Sequence, residues 1–425
     1  MTKIALLFLV GLLALGAAAP AGASSSARYG VQDDAWLAYG PGSLDDRLDV
    51  LDRLGVDVVR YTLRWDDIAS RRPAAPRNSA DPAYDWRVPD TVLRGLHTRR
   101  IGVVVTLLGT PRWANGGRAW QVAPRSGGDV AAFAVAAASR YPWVRQWTVW
   151  NEPNQRRWLS PVSPRTYVRQ LLNPVYAALK GRNRSNRVAG GVTAPRGNAG
   201  GLSPVAFLRG MKAAGARLDA YAHHPYPTRP RTETPTSGGC ARCTTITMAT
   251  LDRLVREVQR AWPRTRIWLT EYGYQTSPPD RALGVSPAAQ ARYLSEAARK
   301  VHATPYVDML IRFLVQDDRV LSGWQSGVLT AAGSAKPSYT ASRFPLAQVS
   351  RRSSRTVLWG QIRPRTGRQP FRLRRFSGGR WTWLGGTRWT NASGTFTATA
   401  PAGRGARVQV WSPRDRSYGI ALAVR

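Results

Sequence analysis

The sequence is poor in the residue types that bind metal ions. Among its 425 residues there are only two cysteines and four histidines. Cys240 and Cys243 are separated by two residues, and no histidine lies at the spacing from this pair that a structural zinc site needs. The scarcity of histidine also argues against a metal-dependent hydrolase. We therefore expect a protein without a metal ion and without a cofactor.

Long apolar runs are equally scarce, and the one near the start of the chain is typical of a secretory signal peptide. Within residues 1–23, a lysine supplies positive charge, residues 4–15 are apolar, and residues 21–23 form a small-residue cleavage site. The apolar run is short for a spanning helix, so an uncleaved membrane anchor is the less favoured interpretation. We expect a secreted, extracellular protein without membrane insertion, in which Cys240 and Cys243 form a loop-closing disulfide.

Acidic residues are few as well. The chain has 25 Asp and Glu against 62 Lys and Arg, which gives a net charge of +37. The positive electrostatic field of such a chain attracts anionic partners such as acidic polysaccharide, cell-envelope polymer or nucleic acid. No run is uniformly basic, however, and this favours arginines scattered over solvated surfaces. We expect no nucleic-acid partner and leave open an attraction to an anionic or cell-wall-associated polysaccharide.

The body of the chain alternates strand-like and helix-like runs. The strand-like runs are 29–31, 55–61, 101–108, 144–150, 188–192, 218–222, 267–271 and 307–315. Eight strands that alternate with helices predict a parallel (β/α)₈ TIM barrel over residues 27–345. In that fold the active site lies at the carboxyl ends of the strands.

The sequence pattern changes near residue 351, where short runs with aromatic residues are separated by Gly, Pro and Asn turns. This pattern predicts a small β-sandwich domain over residues 351–425. Trp381 and Trp383 alternate onto one face of a strand. They fit either a sugar-stacking platform or the domain core, and we favour the core because aromatic side chains dominate core energetics.

Two glutamates stand where apolar runs end. The chain has only five glutamates, of which three lie in a polar loop or on helix-like runs. Glu152 ends the fourth strand, where Pro153 stops the ladder, and Glu271 ends the seventh. Two carboxyl groups about 5–5.5 Å apart across a barrel mouth are what retaining hydrolysis of a glycosidic bond requires. The sequence therefore predicts a retaining glycoside hydrolase.

The neighbours of the two glutamates predict their roles. Glu152 is assigned as the acid/base, since the apolar Trp150 beside it raises a carboxyl pKa. Glu271 is then the nucleophile, with Tyr226 as a hydrogen-bond donor that keeps it ionised and Arg60 as a nearby positive charge. Asn151 is placed to bind the sugar hydroxyl next to the reacting carbon.

These residues also carry a family resemblance. Asn151-Glu152-Pro153 at strand four, His224-Pro225-Tyr226 at strand six, and Glu271 after Leu269-Thr270 at strand seven resemble the clan A glycoside hydrolases. Arg60 is similar to the strand-two arginine of that clan, and the likeness points to the cellulase-like and family 39 xylosidase-like branches. It implies a (β/α)₈ barrel and a retaining mechanism, with Glu152 as acid/base and Glu271 as nucleophile.

The chain departs from the clan at strand eight, where many members have a tryptophan. Residues 316–318 stand there, and Trp324 in the following loop is the candidate substitute. Trp65, Trp113 and Trp158 are either sugar-stacking or packing residues. We favour Trp113 for sugar because it lies in a loop directly past strand three.

Other interpretations stay open at this point. Glu152 and Glu271 also fit buried ion-pair partners of Arg60 in an inactive barrel. His223 is expected in the core, whereas His224 fits either a core position or the site. The alternative function is a non-catalytic cell-envelope carbohydrate-binding protein. The favoured prediction is a monomeric enzyme that acts on a poly- or oligosaccharide.

Overall fold

The computed structural model describes residues 27–364 and 367–425. The predicted signal peptide, residues 1–23, lies outside this part of the chain. Among the described residues, the helices are all too short or too polar to traverse a bilayer.

Eight parallel strands form a closed barrel in which each strand pairs with the next one in the sequence, and β8 pairs with β1. The strands are β1 (Arg28–Gln32), β2 (Val58–Arg64), β3 (Gly102–Leu108), β4 (Gln146–Val149), β5 (Arg187–Thr193), β6 (Ala220–His223), β7 (Arg266–Leu269) and β8 (Val307–Phe313). This arrangement confirms the predicted (β/α)₈ barrel. The strand-two prediction is displaced, because β2 runs to Arg64 and Arg60 lies inside it.

Helices cover the outside of the barrel and occupy the loops between strands. They are α1 (Asp34–Tyr39), α2 (Leu44–Leu54), α3 (Trp65–Ile68), α4 (Arg87–Thr98), α5 (Arg112–Asn115), α6 (Gly127–Arg140), α7 (Pro164–Thr166), α8 (Asn173–Arg182), α9 (Pro204–Ala213), α10 (Leu251–Ala261), α11 (Pro287–Ala303) and α12 (Pro337–Arg343). A π-helical segment (Tyr167–Leu172) joins α7 to α8, and a 3₁₀ turn (Met248–Thr250) precedes α10.

Local sequence explains the bounds of these helices. Ser43 and Asp46 form a capping box at the start of α2, and Gly55 ends that helix in the left-handed conformation that glycine adopts without strain. The serines before Pro204 and Pro287 cap α9 and α11, with proline at the first helical position.

Side chains inside the barrel form a cluster separate from the helix-facing core. It includes Val58 on β2 and Val104 on β3, both fully buried. Because side chains alternate along a strand, Arg60 and Thr106 point to the same side as Val58 and Val104. The strand period therefore carries the Arg60 guanidinium into the barrel interior, toward its mouth.

The C-terminal domain consists of two antiparallel sheets. Its strands are β9 (Leu346–Arg352), β10 (Arg355–Gln361), β11 (Pro370–Ser377), β12 (Arg380–Trp383), β13 (Arg388–Trp389), β14 (Thr395–Ala400), β15 (Arg407–Ser412), β16 (Ser417–Tyr418) and β17 (Leu422–Ala423). One sheet has the order β14-β10-β9; the other has the order β12-β11-β15-β16, with β13 beside β11 and β17 beside β15. The first strand begins at Leu346, ahead of the domain start predicted at 351.

The two sheets share one hydrophobic core. Leu358 and Phe396 enter it from one sheet, and Leu373 and Val410 enter it from the other. This packing agrees with the predicted β-sandwich. The preference for a core role of Trp381 and Trp383 was wrong, because Trp381 is only half-buried and Trp383 is 42% exposed.

The β domain contacts the barrel through aromatic and cationic side chains. The Arg363 guanidinium lies 3.9 Å from the ring centre of Tyr29 and donates to the carbonyl of Ser342. The ring of His302 on α11 lies 5.3 Å from that of Trp359 on β10.

Candidate active site

The predicted site residues meet at the carboxyl end of the barrel. Asn151 and Glu152 follow β4, His224 and Tyr226 follow β6, and Glu271 follows β7. Parallel strands end at the same rim, so these residues converge although they are far apart in the sequence. A cleft of about 1030 Å³ opens above them, and Asn151, Glu152, Tyr226 and Glu271 line it.

Arg60 is the fully buried centre of the site. Its Nε donates to Oγ1 of Thr106 at 2.8 Å, and its Nη1 donates to Oε1 of Gln32 at 2.6 Å. Nη1 also contacts Oε1 of Glu271 at 2.5 Å, while Nη2 donates to Oδ1 of Asn151 at 2.8 Å. A buried guanidinium is costly unless its donors are satisfied. These contacts satisfy it and fix the positions of Glu271 and Asn151.

Both oxygens of Glu271 accept hydrogen bonds. Oε1 faces Arg60, and Oε2 accepts from the hydroxyl of Tyr226 at 3.1 Å. The carboxylate is held from two sides, and its side chain retains 12% exposure toward the cleft. Together these contacts fix the orientation of the carboxyl group.

Glu152 has a different environment. Oε1 lies 3.0 Å from Nδ1 of His224, and the side chain is 14% exposed. Burial raises the pKa of Glu152 to about 7, because the opposing effect of the Arg60 charge is smaller than the loss of hydration. Near neutral pH this carboxyl group therefore carries a proton in a large share of molecules.

The backbone around Glu152 adopts unusual conformations. Trp150 has φ of +73° and Glu152 has φ of +40°, both in the left-handed region that favours glycine. The Trp150 indole donates to the carbonyl of Trp158 at 2.7 Å, and the Glu152 amide donates to the carbonyl of Val192 at 2.9 Å. Strained backbone held in this way is a frequent feature of functional sites.

His224 connects the two glutamates. Its Nδ1 lies 3.0 Å from Glu152 and 3.6 Å from Oε2 of Glu271, and its Nε2 lies 3.1 Å from the hydroxyl of Thr270. Burial lowers the pKa of His224 to about 3, so the ring is neutral. Nε2 faces Nη1 of Arg60 at 3.5 Å. A ring nitrogen beside a cationic donor acts as an acceptor, so Nδ1 carries the hydrogen and donates it to Glu152.

His223 has a structural position, as expected. It is fully buried, with Nδ1 2.8 Å from Oγ1 of Thr193 and Nε2 3.0 Å from the carbonyl of Ile246. Burial lowers the pKa of His223 to about 3 as well. Its hydrogen bonds hold the loop after β6 in place behind the site.

The two glutamates approach each other closely. One oxygen of Glu152, one oxygen of Glu271 and a ring nitrogen of His224 all lie within 4.8 Å of one another. This is the scale of separation that retaining glycoside hydrolases use. In the described parts of the chain, these residues form the only group of three or more His, Cys, Asp or Glu side chains close enough to hold a metal ion. A cation there would lie beside the Arg60 charge, which contacts Glu271 directly.

Trp324 lines the cleft from the loop after β8. Its ring lies 5.8 Å from that of Tyr226, with 27° between the ring planes, and the residue is 45% exposed. Phe313 also packs edge-on against this indole. Asp317 is not available for a sugar, since it forms a buried ion pair with Lys336 at 2.6 Å. The geometry therefore places an aromatic surface where the sequence lacks a strand-eight tryptophan.

Of the three other candidate tryptophans, only one lines the cleft. Trp113 is absent from the cleft lining; its indole donates to the carbonyl of Ala69 at 2.7 Å and packs edge-on against the buried Trp65. Trp158 lines the cleft close to Glu152. We therefore leave Trp113 and Trp65 out of the proposed site and include Trp158.

Sequence reasoning missed Gln32 and Asp34. Gln32 is the last residue of β1 and Asp34 is the first residue of α1. Both line the cleft, and Gln32 accepts a hydrogen bond from Arg60. Burial raises the pKa of Asp34. The signal in the sequence is the polar run that ends and follows this strand, but the strand is too short to give a clear apolar pattern before it.

The two cysteines lie in the loop between β6 and α10, with their sulfur atoms 1.97 Å apart. Neither cysteine lines the cleft.

By sequence, no protein-family model and no curated protein matches the chain. Solved structures do match. A family 39 glycoside hydrolase from Bacteroides cellulosilyticus superposes with a TM-score of 0.60 at 17% identity, covering 90% of this chain and 83% of that one. A GH39 enzyme from Xanthomonas axonopodis pv. citri gives 0.56 at 15% identity, over 92% and 94% of the two chains. A GH5_18 protein from Streptomyces cattleya gives 0.51 at 19% identity, over 74% and 78%.

The chain has the fold of clan A glycoside hydrolases. The resemblance drawn from the strand-end motifs is thereby confirmed at the level of architecture. At these identities of 15–19% the likeness shows the fold alone.

Proposed function

We propose that the protein is a secreted retaining glycoside hydrolase that cleaves a poly- or oligosaccharide by double displacement. The observation that supports this most strongly is the contrast between two facing carboxyl groups. Glu271 is held between Arg60 and Tyr226, whereas Glu152 is hydrogen-bonded to the neutral imidazole of His224 and has a pKa of about 7. One group is suited to attack and the other to donate a proton.

The first step forms a covalent intermediate. An oxygen of Glu271 attacks the anomeric carbon, and the bond from that carbon to the leaving oxygen breaks. Glu152 gives its proton to the departing oxygen, so the aglycone leaves as an alcohol. The hydroxyl of Tyr226 must then share Oε2 of Glu271 with the developing ester.

The second step releases the sugar. Glu152, now a carboxylate, takes a proton from water while the water oxygen attacks the anomeric carbon. The bond to Glu271 breaks, and the product keeps the anomeric configuration of the substrate. His224 donates to Glu152 through Nδ1 and therefore supports the carboxylate form in this half of the cycle.

Asn151 and two tryptophans are proposed to hold the sugar. Arg60 occupies Oδ1 of Asn151, which leaves the amide nitrogen to donate to a sugar hydroxyl. Trp324 and Trp158 offer aromatic surface on the cleft wall. The chain is proposed to act as a monomer, without metal or cofactor, and Cys240 and Cys243 are proposed to be disulfide-bonded after export.

The test is a panel of aryl glycosides and polysaccharides, with the first-formed product anomer followed by proton NMR. Hydrolysis with retained configuration supports the proposal. Inverted product would require the two carboxyl groups to act through a water between them and would exclude Glu271 as nucleophile. No hydrolysis of any glycan, together with binding of one, would favour the non-catalytic alternative.

A further inference from the structure

The outer face of the second C-terminal sheet is built from alternating aromatic and arginine side chains. Its residues, which we name the aromatic–arginine face, are Arg372, Arg374, Phe376, Trp381, Trp383, Arg407, Gln409, Trp411 and Tyr418. On β11 and β15 the intervening residues Leu373, Val408 and Val410 are buried in the domain core. Each member of the face is at least partly exposed.

Strand register brings these side chains into rows across the sheet. Arg374 pairs with Trp383 on one side and Gln409 on the other. Phe376 stands between Trp381 and Arg407 in the next row. Residues opposite one another on one face of an antiparallel pair lie close enough for side-chain contact. The face is therefore a continuous surface across four strands.

The guanidinium groups lie over the aromatic rings. Arg372 is 4.0 Å from the ring centre of Trp383, and Arg374 is 3.6 Å from that of Tyr418. Arg407 lies 4.6 Å from the ring centre of Phe376. A guanidinium stacked on a ring keeps N–H donors at its edge, where they bind carboxylate or sulfate oxygens in pairs.

The positive charge of this face is not neutralised within its domain. Residues 346–425 contain sixteen arginines, no lysine, no glutamate and a single aspartate, Asp415. Asp415 accepts a hydrogen bond from Ser412 and pairs with Arg343 and Arg414. In the described ranges, the arginines of the face have no carboxylate partner. A second copy of the chain would bring like charge to the same surface, so its natural complement is an anionic partner.

We propose that the aromatic–arginine face binds an acidic polysaccharide, with sugar rings packed on the exposed Trp383 and carboxylate or sulfate groups bound by Arg372 and Arg374. The choice of a polysaccharide over other polyanions rests on the proposed glycosidase function of the same chain. Two sites on one chain raise the effective concentration of a long polymer at the cleft.

The test measures binding of the full chain carrying Glu271→Ala to immobilised polygalacturonate, with a neutral galactan as the uncharged counterpart. The substitutions Arg372→Ala/Arg374→Ala and, separately, Trp383→Ala are added to this background. The matched control is Arg352→Ala/Arg355→Ala, which removes the same charge from exposed positions on the other sheet. Circular dichroism checks that each variant is folded. If the double arginine variant is unstable, Trp383→Ala still tests the proposal, because it changes only one exposed residue.

We expect binding to polygalacturonate but not to galactan. Each variant of the aromatic–arginine face should weaken binding to polygalacturonate about tenfold. The control variant Arg352→Ala/Arg355→Ala should change this affinity by about twofold at most. Equal loss in the control pair would show diffuse attraction and overturn the proposal, as would no binding by the parent. Tighter binding to poly(dT) or to phosphatidylglycerol vesicles, lost in the same variants, would reassign the face to nucleic acid or membrane. Because binding needs no turnover, the two proposals fail separately: an unsubstituted chain that hydrolyses no glycan but still binds polygalacturonate overturns the proposed hydrolase function and not this inference.

Discussion

Nδ1 of His224 donates to Oε1 of Glu152 across 3.0 Å, and burial keeps this imidazole neutral. Glu152 thus has a neutral partner, while Arg60 forms its ion pair with Glu271. The two carboxyl groups share one cleft but meet different electrostatic environments. The proposed roles, Glu152 as acid/base and Glu271 as nucleophile, follow from this difference in environment.

The pH dependence of kcat/KM should report the proton on Glu152. Its pKa is raised to about 7, and the first step needs the protonated form. The contribution of the Glu152 proton is therefore complete well below pH 7, and above that pH kcat/KM falls about tenfold per pH unit. The measurement is a pH profile with an unactivated substrate. A dinitrophenyl glycoside, whose leaving group needs no acid, should lose the descending limb; the same limb for both substrates would contradict the assignment.

Replacing Glu152 with alanine should separate its two roles. With a poorly activated substrate we expect kcat/KM to fall by about 10²–10⁴-fold, since general acid catalysis is lost. With a dinitrophenyl substrate, sodium azide should restore turnover and yield a glycosyl azide of retained configuration. A Glu152→Ala protein that azide cannot accelerate, and that accumulates no glycosyl-enzyme, would speak against an acid/base role.

Arg60 should be a large contributor to stability as well as to activity. Arg60→Met removes the cation from a buried cluster and leaves Glu271 without its ion-pair partner, a loss of about 3 kcal/mol in the free energy of unfolding. Urea denaturation measures it. The double variant Arg60→Met/Glu271→Gln should recover part of the loss. Arg87→Met, in an exposed pair with Asp85, serves as the control and should unfold with the parent; equal behaviour of the two single variants would contradict this account.

Trp324 should contribute to substrate binding more than to chemistry. It lines the cleft and stacks beside Tyr226. For Trp324→Ala we expect KM to rise about tenfold with a smaller change in kcat. Trp389→Ala, an exposed tryptophan on the β domain, should leave the kinetics of a small aryl glycoside unchanged. An unchanged KM in Trp324→Ala would remove this residue from the sugar site.

The positions of the two glutamates could be predicted from sequence because a buried strand gives a clear pattern. An apolar run that ends in a carboxylate is uncommon, and parallel strands in a closed barrel must end at one rim. Arg60 was assigned to the site for the same reason, although the exact end of β2 was displaced toward Arg64. Strand period, not strand end, is what places its side chain inside the barrel.

The tryptophans could not be assigned in this way. Trp113 and Trp158 both lie in loops past strand ends, and only the folded loops show that Trp113 packs on Trp65 while Trp158 faces the cleft. The prediction that Trp381 and Trp383 lie in the core was wrong for a different reason. Alternation shows that two residues share a face of a strand but not whether that face is covered, and here arginines cover it instead of the core.

The central claim is that Glu271 is the nucleophile, and mass spectrometry of a trapped intermediate tests it most directly. The enzyme is incubated with the 2-deoxy-2-fluoro form of its best aryl glycoside, which slows release of the sugar, and is then digested with protease. We predict one added fluorosugar on the peptide that contains Glu271. Glu271→Ala should form no adduct and lose at least about 10⁴-fold in kcat, whereas Glu257→Ala should be labelled like the parent. A label on Glu152, or an active Glu271→Ala enzyme, would contradict the claim.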